Sequence, residues 1–341
     1  MKEKTLISII VPFYNSGKLI GNSINSIKKQ KEKNFEVIFI NDGSKDNSKE
    51  ILKELLENCN FIYRIIDKEN EGVSVARNVG IKEAKGDYVL FLDADDIIHE
   101  DLIKDINQKL KMVTMPDIVY WGYDIINPKG KPLRKYEDHY MYIEKNGSLI
   151  KEYMLKNLWI GIGSALYNKS FLNANNIYFP KGVARAEDIV FTFNAFLKAK
   201  FIACIKKVLS YYFYHKNSAT HKSSIKSLHT IKAMYLIESL LQNGTEEKEI
   251  FRNKFKPRYY WNMVTGGLVS FDKKDKKTKK MVIRLLKNKF IRKELKIYQP
   301  KTKKVKTAKT ILLFLMHFPP IYITIMRQIN KFDNILYRIK Y

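Results

Sequence analysis

Cysteine is almost absent: the 341-residue chain has two, Cys59 and Cys204. That rules out a disulfide framework, and neither cysteine belongs to a zinc-ligand spacing. Acidic residues are scarce too, 35 against 62 lysines and arginines, for a formal charge of +27. Such an excess favours polyanionic partners, phosphate groups or acidic lipids, and leaves open a plain surface of solvated lysines. No internal repeat is visible. The segment Met1 to Tyr14 has a short apolar run but no signal-peptide cleavage pattern, so the cytoplasmic side is the expected compartment. A long hydrophobic run is missing as well. Thr310 to Met326 is 17 uncharged residues broken by Pro319-Pro320, whereas a spanning helix needs about 20 apolar residues without such a break.

With 45% hydrophobic and 13% aromatic residues, the chain can bury one sizeable core and a smaller appended unit. Its charge is uneven. From Lys273 to Lys309 there are 17 basic residues against two acids, Asp275 and Glu294, a net +15 of the +27. This basic segment directly precedes the apolar one. The pairing fits two short helices lying in a membrane interface, flanked by Lys309 and Arg327, with lysines reaching anionic headgroups. The alternative is a helix hairpin packed on the globular core.

The first hundred residues alternate strand and helix signals. Leu6–Val11, Phe35–Ile40, Phe61–Ile66 and Tyr88–Leu92 are short apolar or β-branched runs, of the kind that fills strands of a parallel sheet. Helical patterns lie between them at Lys18–Lys29, Asn47–Glu57 and Gly72–Ala84. Right-handed crossovers and a doubly wound α/β sheet follow. Further on, Asp117–Ile126, Ile160–Tyr167 and Phe201–Tyr214 read as strands, and Ser148–Lys156, Glu187–Lys198 and much of Ser227–Met263 as helix. We place a catalytic domain at 1–220, with a nucleotide half at 1–110 and an acceptor half at 111–220. A basic helical extension then covers 221–300, and a membrane-associating tail 301–341.

Ligands in such sheets bind at the carboxyl ends of the strands. There the sequence places Pro12-Phe13-Tyr14-Asn15, Asn41-Asp42-Gly43-Ser44 and Asp93-Ala94-Asp95-Asp96. In extended backbone, Asp93 and Asp95 point to the same side. Two carboxylates so held invite a hard divalent cation, Mg²⁺ or Mn²⁺, which takes oxygen ligands and shares its shell with phosphate oxygens. A helix-capping turn is the alternative.

These blocks, with Ser8 to Pro12, Asn70-Glu71-Gly72, Ala76-Arg77-Asn78-Val79-Gly80 and Gly86-Asp87, resemble in order and spacing those of the family-2 glycosyltransferases. The resemblance covers roughly the first hundred residues and resumes at Arg185-Ala186-Glu187-Asp188. It implies the GT-A fold, a Rossmann-like nucleotide-diphosphosugar fold, here with a mainly helical C-terminal extension. It implies that Pro12 and Tyr14 line the base, that Asp42 accepts from it, and that Arg77 lies near the nucleotide phosphates. Asp93 would meet ribose or metal, Ala94 would sit with the donor-binding residues, and Asp95 would meet metal and diphosphate. Asp188 would be the base of an inverting transfer, with Glu187 orienting it or the acceptor. Relatives often carry two aspartates where this chain has Asn41-Asp42, so the base-binding role passes to Asp42 alone.

Trp159 and Gly161–Ser164 are placed at the acceptor site by position. His215-Lys216 stands where relatives show an arginine; Lys216 could meet a phosphate, and His215 or His221 the metal. The implied partners are a UDP-sugar donor, a glycan or lipid-linked saccharide acceptor and an anionic membrane surface, with no nucleic acid. The alternatives are a sugar nucleotidyltransferase, whose glycine-rich loop is replaced here by Tyr14-Asn15-Ser16-Gly17, and a peripheral membrane-binding protein with a degenerate nucleotide site.

Overall fold

The structure, a computed structural model, describes residues 6–214, 225–267, 276–300 and 303–331. The chain divides into two compact units, 1–183 with 187–215, and 184–186 with 216–341. The division therefore falls at His215, slightly before the expected boundary at 220. His215, Lys216 and His221 lie outside the described residues.

The first unit is built on one mixed sheet. Its strands are β1 (Ile7–Phe13), β2 (Phe35–Asp42), β3 (Ile62–Lys68), β4 (Tyr88–Phe91), β5 (Ile97–Ile98), β6 (Ile118–Ile126), β7 (Pro132–Arg134), β8 (Lys145–Asn146), β9 (Ala165–Asn168) and β10 (Phe201–Phe213). Their order is β3-β2-β1-β4-β9-β6-β10-β5, with β7 on β6 and β8 on β10. Strands β3, β2, β1 and β4 are parallel, connected by α1 (Ile20–Lys28), α2 (Ser48–Leu56) and α3 (Val73–Glu83). All residues of β1, β2 and β4 are buried, as their continuous apolar runs require of strands covered on both faces. The chain reverses direction across the sheet between β1 and β4, so the crevice lies at the carboxyl ends of these strands.

One departure from a parallel sheet is β9, which inserts antiparallel between β4 and β6. The run Ile160–Tyr167 is not one strand, because a 3₁₀ turn at Ile162–Ser164 precedes β9. The Ser164 hydroxyl closes that turn, accepting from Gly161 N at 2.9 Å and donating to Gly161 O at 3.0 Å. The remaining helices are α4 (Leu102–Met112), α5 (Ile150–Leu155), α6 (Lys169–Ala174) and α7 (Glu187–Lys198).

Helix α3 lies close on β1. A Cβ at Gly80 would come within 2.3 Å of Ile10 Cγ2, so only glycine permits this approach. One turn earlier on the same helix side stands Arg77, which the packing of Gly80 holds near the rim of the sheet.

The second unit is helical: α8 (His229–Ser239), α9 (Glu246–Ile250), α10 (Lys256–Asn262), α11 (Lys276–Lys287), α12 (Lys289–Ile297), α13 (Lys303–Leu315) and α14 (Pro319–Lys331). Single π-turns at Phe251–Phe255 and Met263–Gly267 flank α10. Pro319 opens α14, where a missing N–H costs nothing. Over the described residues of 301–341, α13 and α14 pack within this unit. Tyr322 donates to Val264 O at 3.1 Å. Arg292 joins three elements, donating to Leu286 O at 2.8 Å and Met316 O at 2.8 Å and meeting His317 Nδ1 at 3.3 Å. Lys309 does not reach outward. Its ammonium donates to Lys296 O and Tyr298 O, the carbonyls that end α12. Among the described residues, no helix is long and apolar enough to cross a membrane.

Candidate active site

The loops after β1 and β2 are tied to each other at the rim. Asn15 adopts the left-handed region, φ 49°, accepts from Lys45 N at 2.8 Å and donates its own N–H to Ser44 Oγ at 3.1 Å. This turn leaves Tyr14 46% exposed while Pro12 is buried beneath it. A half-exposed ring at a sheet rim can stack on a base; Pro12 can offer only backbone or a packing floor.

Asp42 is buried and already well partnered. Its Oδ1 takes Lys68 Nζ at 2.7 Å and Glu71 N at 3.1 Å, and its Oδ2 takes Gly72 N at 2.8 Å. Asp42 therefore pins the loop that leads into α3, and any base contact would use a lone pair left beside these three donors. Asn41 is occupied differently, bonded to Asp67 Oδ1 at 2.9 Å and accepting from Ser44 N at 3.0 Å. Lys68 was not singled out in the sequence. The register that pairs Asp42 with Lys68 across β2 and β3 is the signal that could have found it.

Arg77 is the hub. Its guanidinium is 3% exposed, with Nη2 2.7 Å from Asp93 Oδ1 and Nη1 3.3 Å from Glu187 Oε1. The same group lies 5.1 Å over the ring of Phe179. Burial works against its charge, yet Asp93 and Glu187 hold the proton above the usual arginine range. Arg77 was expected beside nucleotide phosphates; what the structure places against it is two carboxylates.

Glu187 and Asp188 open α7, where acidic groups suit the helix dipole. Ala186, just before them, is in the left-handed region at φ 62°, a conformation uncommon for a non-glycine residue. Burial first, and then the charge of Asp188, push Glu187 up to about 7. Ile189 N donates to Asp188 Oδ1 at 2.8 Å. Burial also raises the phenol of Tyr167, and the Asp188 charge adds to it.

Next to Asp93, the carboxyl of Asp96 is held well above the usual range by burial, then by the charges of Asp95 and Asp93, and accepts from Phe213 N at 3.1 Å. Asp96 stood in the quoted motif without a role. Ala94, grouped with the donor-binding residues, has its side chain packed in the apolar core at 6% exposure. Its methyl cannot be a polar contact.

Asn78 is another residue the motif contained without a function. It clamps Phe179 as a strand would, donating to Phe179 O at 2.9 Å and accepting from Phe179 N at 2.9 Å. Phe179 in turn stacks flat on Phe191 of α7, centroids 4.0 Å apart. Helix α3 and helix α7 are thereby linked through Phe179 as well as through Arg77. Trp159 stands apart from that linkage in an aromatic stack, 6.2 Å from Tyr140 and 6.4 Å from Tyr153, with Lys156 Nζ 5.8 Å from its ring centroid.

Among the described residues, no group of three or more histidine, cysteine or acidic side chains could hold a metal ion. A closed protein cage is thus not what these residues build. The carboxylates after β4 fit a different arrangement. Burial first, and then the negative charges of Asp95 and Asp93, raise the proton affinity of Asp96. Two carboxylates and no cage are the donor set of Mg²⁺ or Mn²⁺ ions that keep waters and share phosphate oxygens.

Residues 8–173 match the model of glycosyl transferase family 2. That segment is a family-2 glycosyltransferase domain. The matched segment spans the rim from Pro12 to Asp96 and ends before Glu187 and Asp188. Among named relatives of this chain, poly(ribitol-phosphate) beta-N-acetylglucosaminyltransferase TarS of Staphylococcus aureus is 30% identical over 219 residues, 64% of this chain and 37% of that protein. Poly(ribitol-phosphate) beta-glucosyltransferase of Bacillus spizizenii is 34% identical over 224 residues, 64% of this chain and 33% of that one. The putative glycosyltransferase EpsH of Bacillus subtilis is 27% identical over 265 residues, 74% and 73% of the two chains. The chain thus spans a little over a third of the length of the S. aureus relative. The crystal structure of S. aureus TarS 1–349 in complex with UDP-GlcNAc has the same GT-A fold, with a TM-score of 0.66 at 22% identity, covering 96% of this chain and 92% of that one.

Proposed function

We propose that this chain transfers a sugar from a uridine diphosphate donor to a hydroxyl of a glycan or lipid-linked saccharide acceptor, with inversion, on the cytoplasmic side. The observation that carries the reading is Arg77 holding Asp93 and Glu187 at once. It joins the turn that faces a donor diphosphate to the helix start that faces an acceptor. The S. aureus relative, crystallised with UDP-GlcNAc and named for poly(ribitol-phosphate), supports a UDP-N-acetylhexosamine or related donor and an anionic surface polymer as acceptor.

In this reading Tyr14 stacks on the base above Pro12, and Asp42 accepts from it. Asp93 and Asp95 would hold Mn²⁺ or Mg²⁺, which supplies charge neutralisation to the departing diphosphate. Asp188 takes the proton from the acceptor hydroxyl as its oxygen bonds to the anomeric carbon and the bond to UDP breaks. Attack opposite the leaving group inverts that carbon. Trp159 offers a flat apolar face to an acceptor sugar.

A second reading gives the proton to Glu187, because its affinity near neutrality is where a general base works best. The ion pair with Arg77 argues for a positioning role instead.

The deciding experiment measures UDP release from a panel of UDP-sugars, with Mn²⁺ or Mg²⁺ and again with a chelator, with and without a polyol-phosphate acceptor. Metal-dependent release from one or two donors is expected. Absence of both release and metal-dependent nucleotide binding would overturn the reading and favour a non-catalytic protein with a vestigial site.

A further inference from the structure

The C-terminal hairpin is apolar on two sides. One side packs inward: Leu312, Met316, Tyr322, Ile323 and Met326 are buried. The other side carries Ile311, Phe314, Phe318, Ile321 and Ile325, between 36% and 65% exposed. These five are a third of the fifteen large hydrophobic residues exposed among the described residues, gathered within fifteen consecutive positions. The inward set explains why the hairpin folds; among the described residues the outward set stays exposed. Clustered exposure of this kind marks an interaction surface.

Lys306, Thr310, Ile311 and Phe314 are spaced to share one face of α13, and all four are exposed. Ile321 and Ile325 repeat the spacing on α14. The rings of Phe314 and Phe318, centroids 5.8 Å apart, continue the surface across the turn.

Positive charge adjoins it. The sequence from Lys276 to Lys331 has 17 basic residues and one acid, Glu294, which is buried 3.0 Å from Lys256. An open recess of about 570 Å³ is lined in part by Lys296, Lys306, Lys309 and Thr310, so it shares Lys306 and Thr310 with the outward face. Apolar rings beside cations, with no exposed acid on the segment, complement a bilayer of anionic lipid. The rings suit the boundary between headgroups and acyl chains, and the lysines suit lipid phosphates.

We propose that the α13–α14 hairpin docks this chain on an anionic bilayer, with Phe314, Phe318 and Ile321 entering the interface and Lys306 meeting lipid phosphate. The buried side of the hairpin stays on its own unit, so the contact is peripheral. The proposal stands independently of the sugar-transfer reading.

The test is co-sedimentation of the full chain with phosphatidylcholine vesicles, with and without phosphatidylglycerol, at low and high salt. Binding is expected on the anionic vesicles and weakened by salt. Phe314→Ser with Phe318→Ser and Ile321→Ser should weaken it about tenfold or more, with the circular dichroism spectrum unchanged. Lys306→Glu should weaken it less, and only on anionic vesicles. Wild-type binding by the triple variant, or no binding by the wild type, overturns the proposal. So does a solution dimer that the triple variant dissolves while vesicles are ignored, which would assign the face to a second copy of the chain.

Discussion

Arg77 and the lysines of α11 and α12 put positive charge to opposite uses. Arg77 is buried, and its neighbours are carboxylates drawn from the turn after β4 and from α7, 16 and 110 residues away in sequence. Lys279, Lys280, Lys287, Lys289 and Lys293 are exposed, on a segment whose one acid already serves Lys256. A single cation in a low-dielectric setting fixes the geometry of three elements. Many solvated cations fix nothing locally, and their effect is a field felt by whatever approaches. Charge count therefore says where a molecule goes, and charge burial says how its site is built.

Substitutions can break this contrast at either end. The largest effect is expected at Asp188. If Asp188 is the base, Asp188→Asn lowers the transfer rate by about 10²- to 10⁴-fold while UDP binding by calorimetry is unchanged; full transfer by this variant would move the role to Glu187. Arg77→Met comes next. It leaves Asp93 and Glu187 without their cation, and should cost about 3–5 kcal/mol, read from the urea midpoint. A cost below about 1 kcal/mol would mean that the two carboxylates find other partners.

Glu187→Gln should change the pH dependence more than the stability itself. A carboxyl raised to about 7 in the folded chain, from an ordinary 4.5, binds its proton more tightly folded than unfolded. That contribution is fully present below about pH 4.5 and is lost as pH rises through about 7. The variant lacks it, so the melting temperature of the wild type should fall relative to Glu187→Gln between pH 5 and pH 8. A constant gap between the two proteins would sink the assignment. The smallest effect is expected at Lys280→Ala, within about 0.5 kcal/mol, measurable by the same melts.

The parallel half of the sheet was legible because burial on both faces leaves a direct mark. Ile9 to Val11 and Val37 to Ile40 are apolar without alternation, and polar residues follow where each strand reaches the rim. Helix α7 was legible from end to end for the same reason. Strand β9 was read within Ile160–Tyr167, but nothing in Ala165–Asn168 encodes the direction in which it pairs. The rim residues were legible as a set, but their partners were not. The motif puts Arg77 near the nucleotide or its phosphates, but only the folded chain shows that Glu187 reaches it. Asp42 likewise read as a free acceptor, since the donors at Lys68, Glu71 and Gly72 come from the next crossover. In the hairpin, apolar residues recur at helical spacing on every side. Periodicity cannot say that Leu312 and Met316 turn in while Ile311 and Phe314 turn out.

The antiparallel β9 also has a temporal meaning. β1 pairs with β2 and β2 with β3 through single crossovers, but Leu90 of β4 pairs with Leu166, 76 residues further along the chain. Synthesis at about 5–20 residues per second leaves the apolar edge of β4 without that neighbour for about 4–15 s. Unpaired strand edges recruit other chains, so a ribosome pausing between Phe91 and Asn168 would lengthen the interval in which this protein is most prone to aggregate.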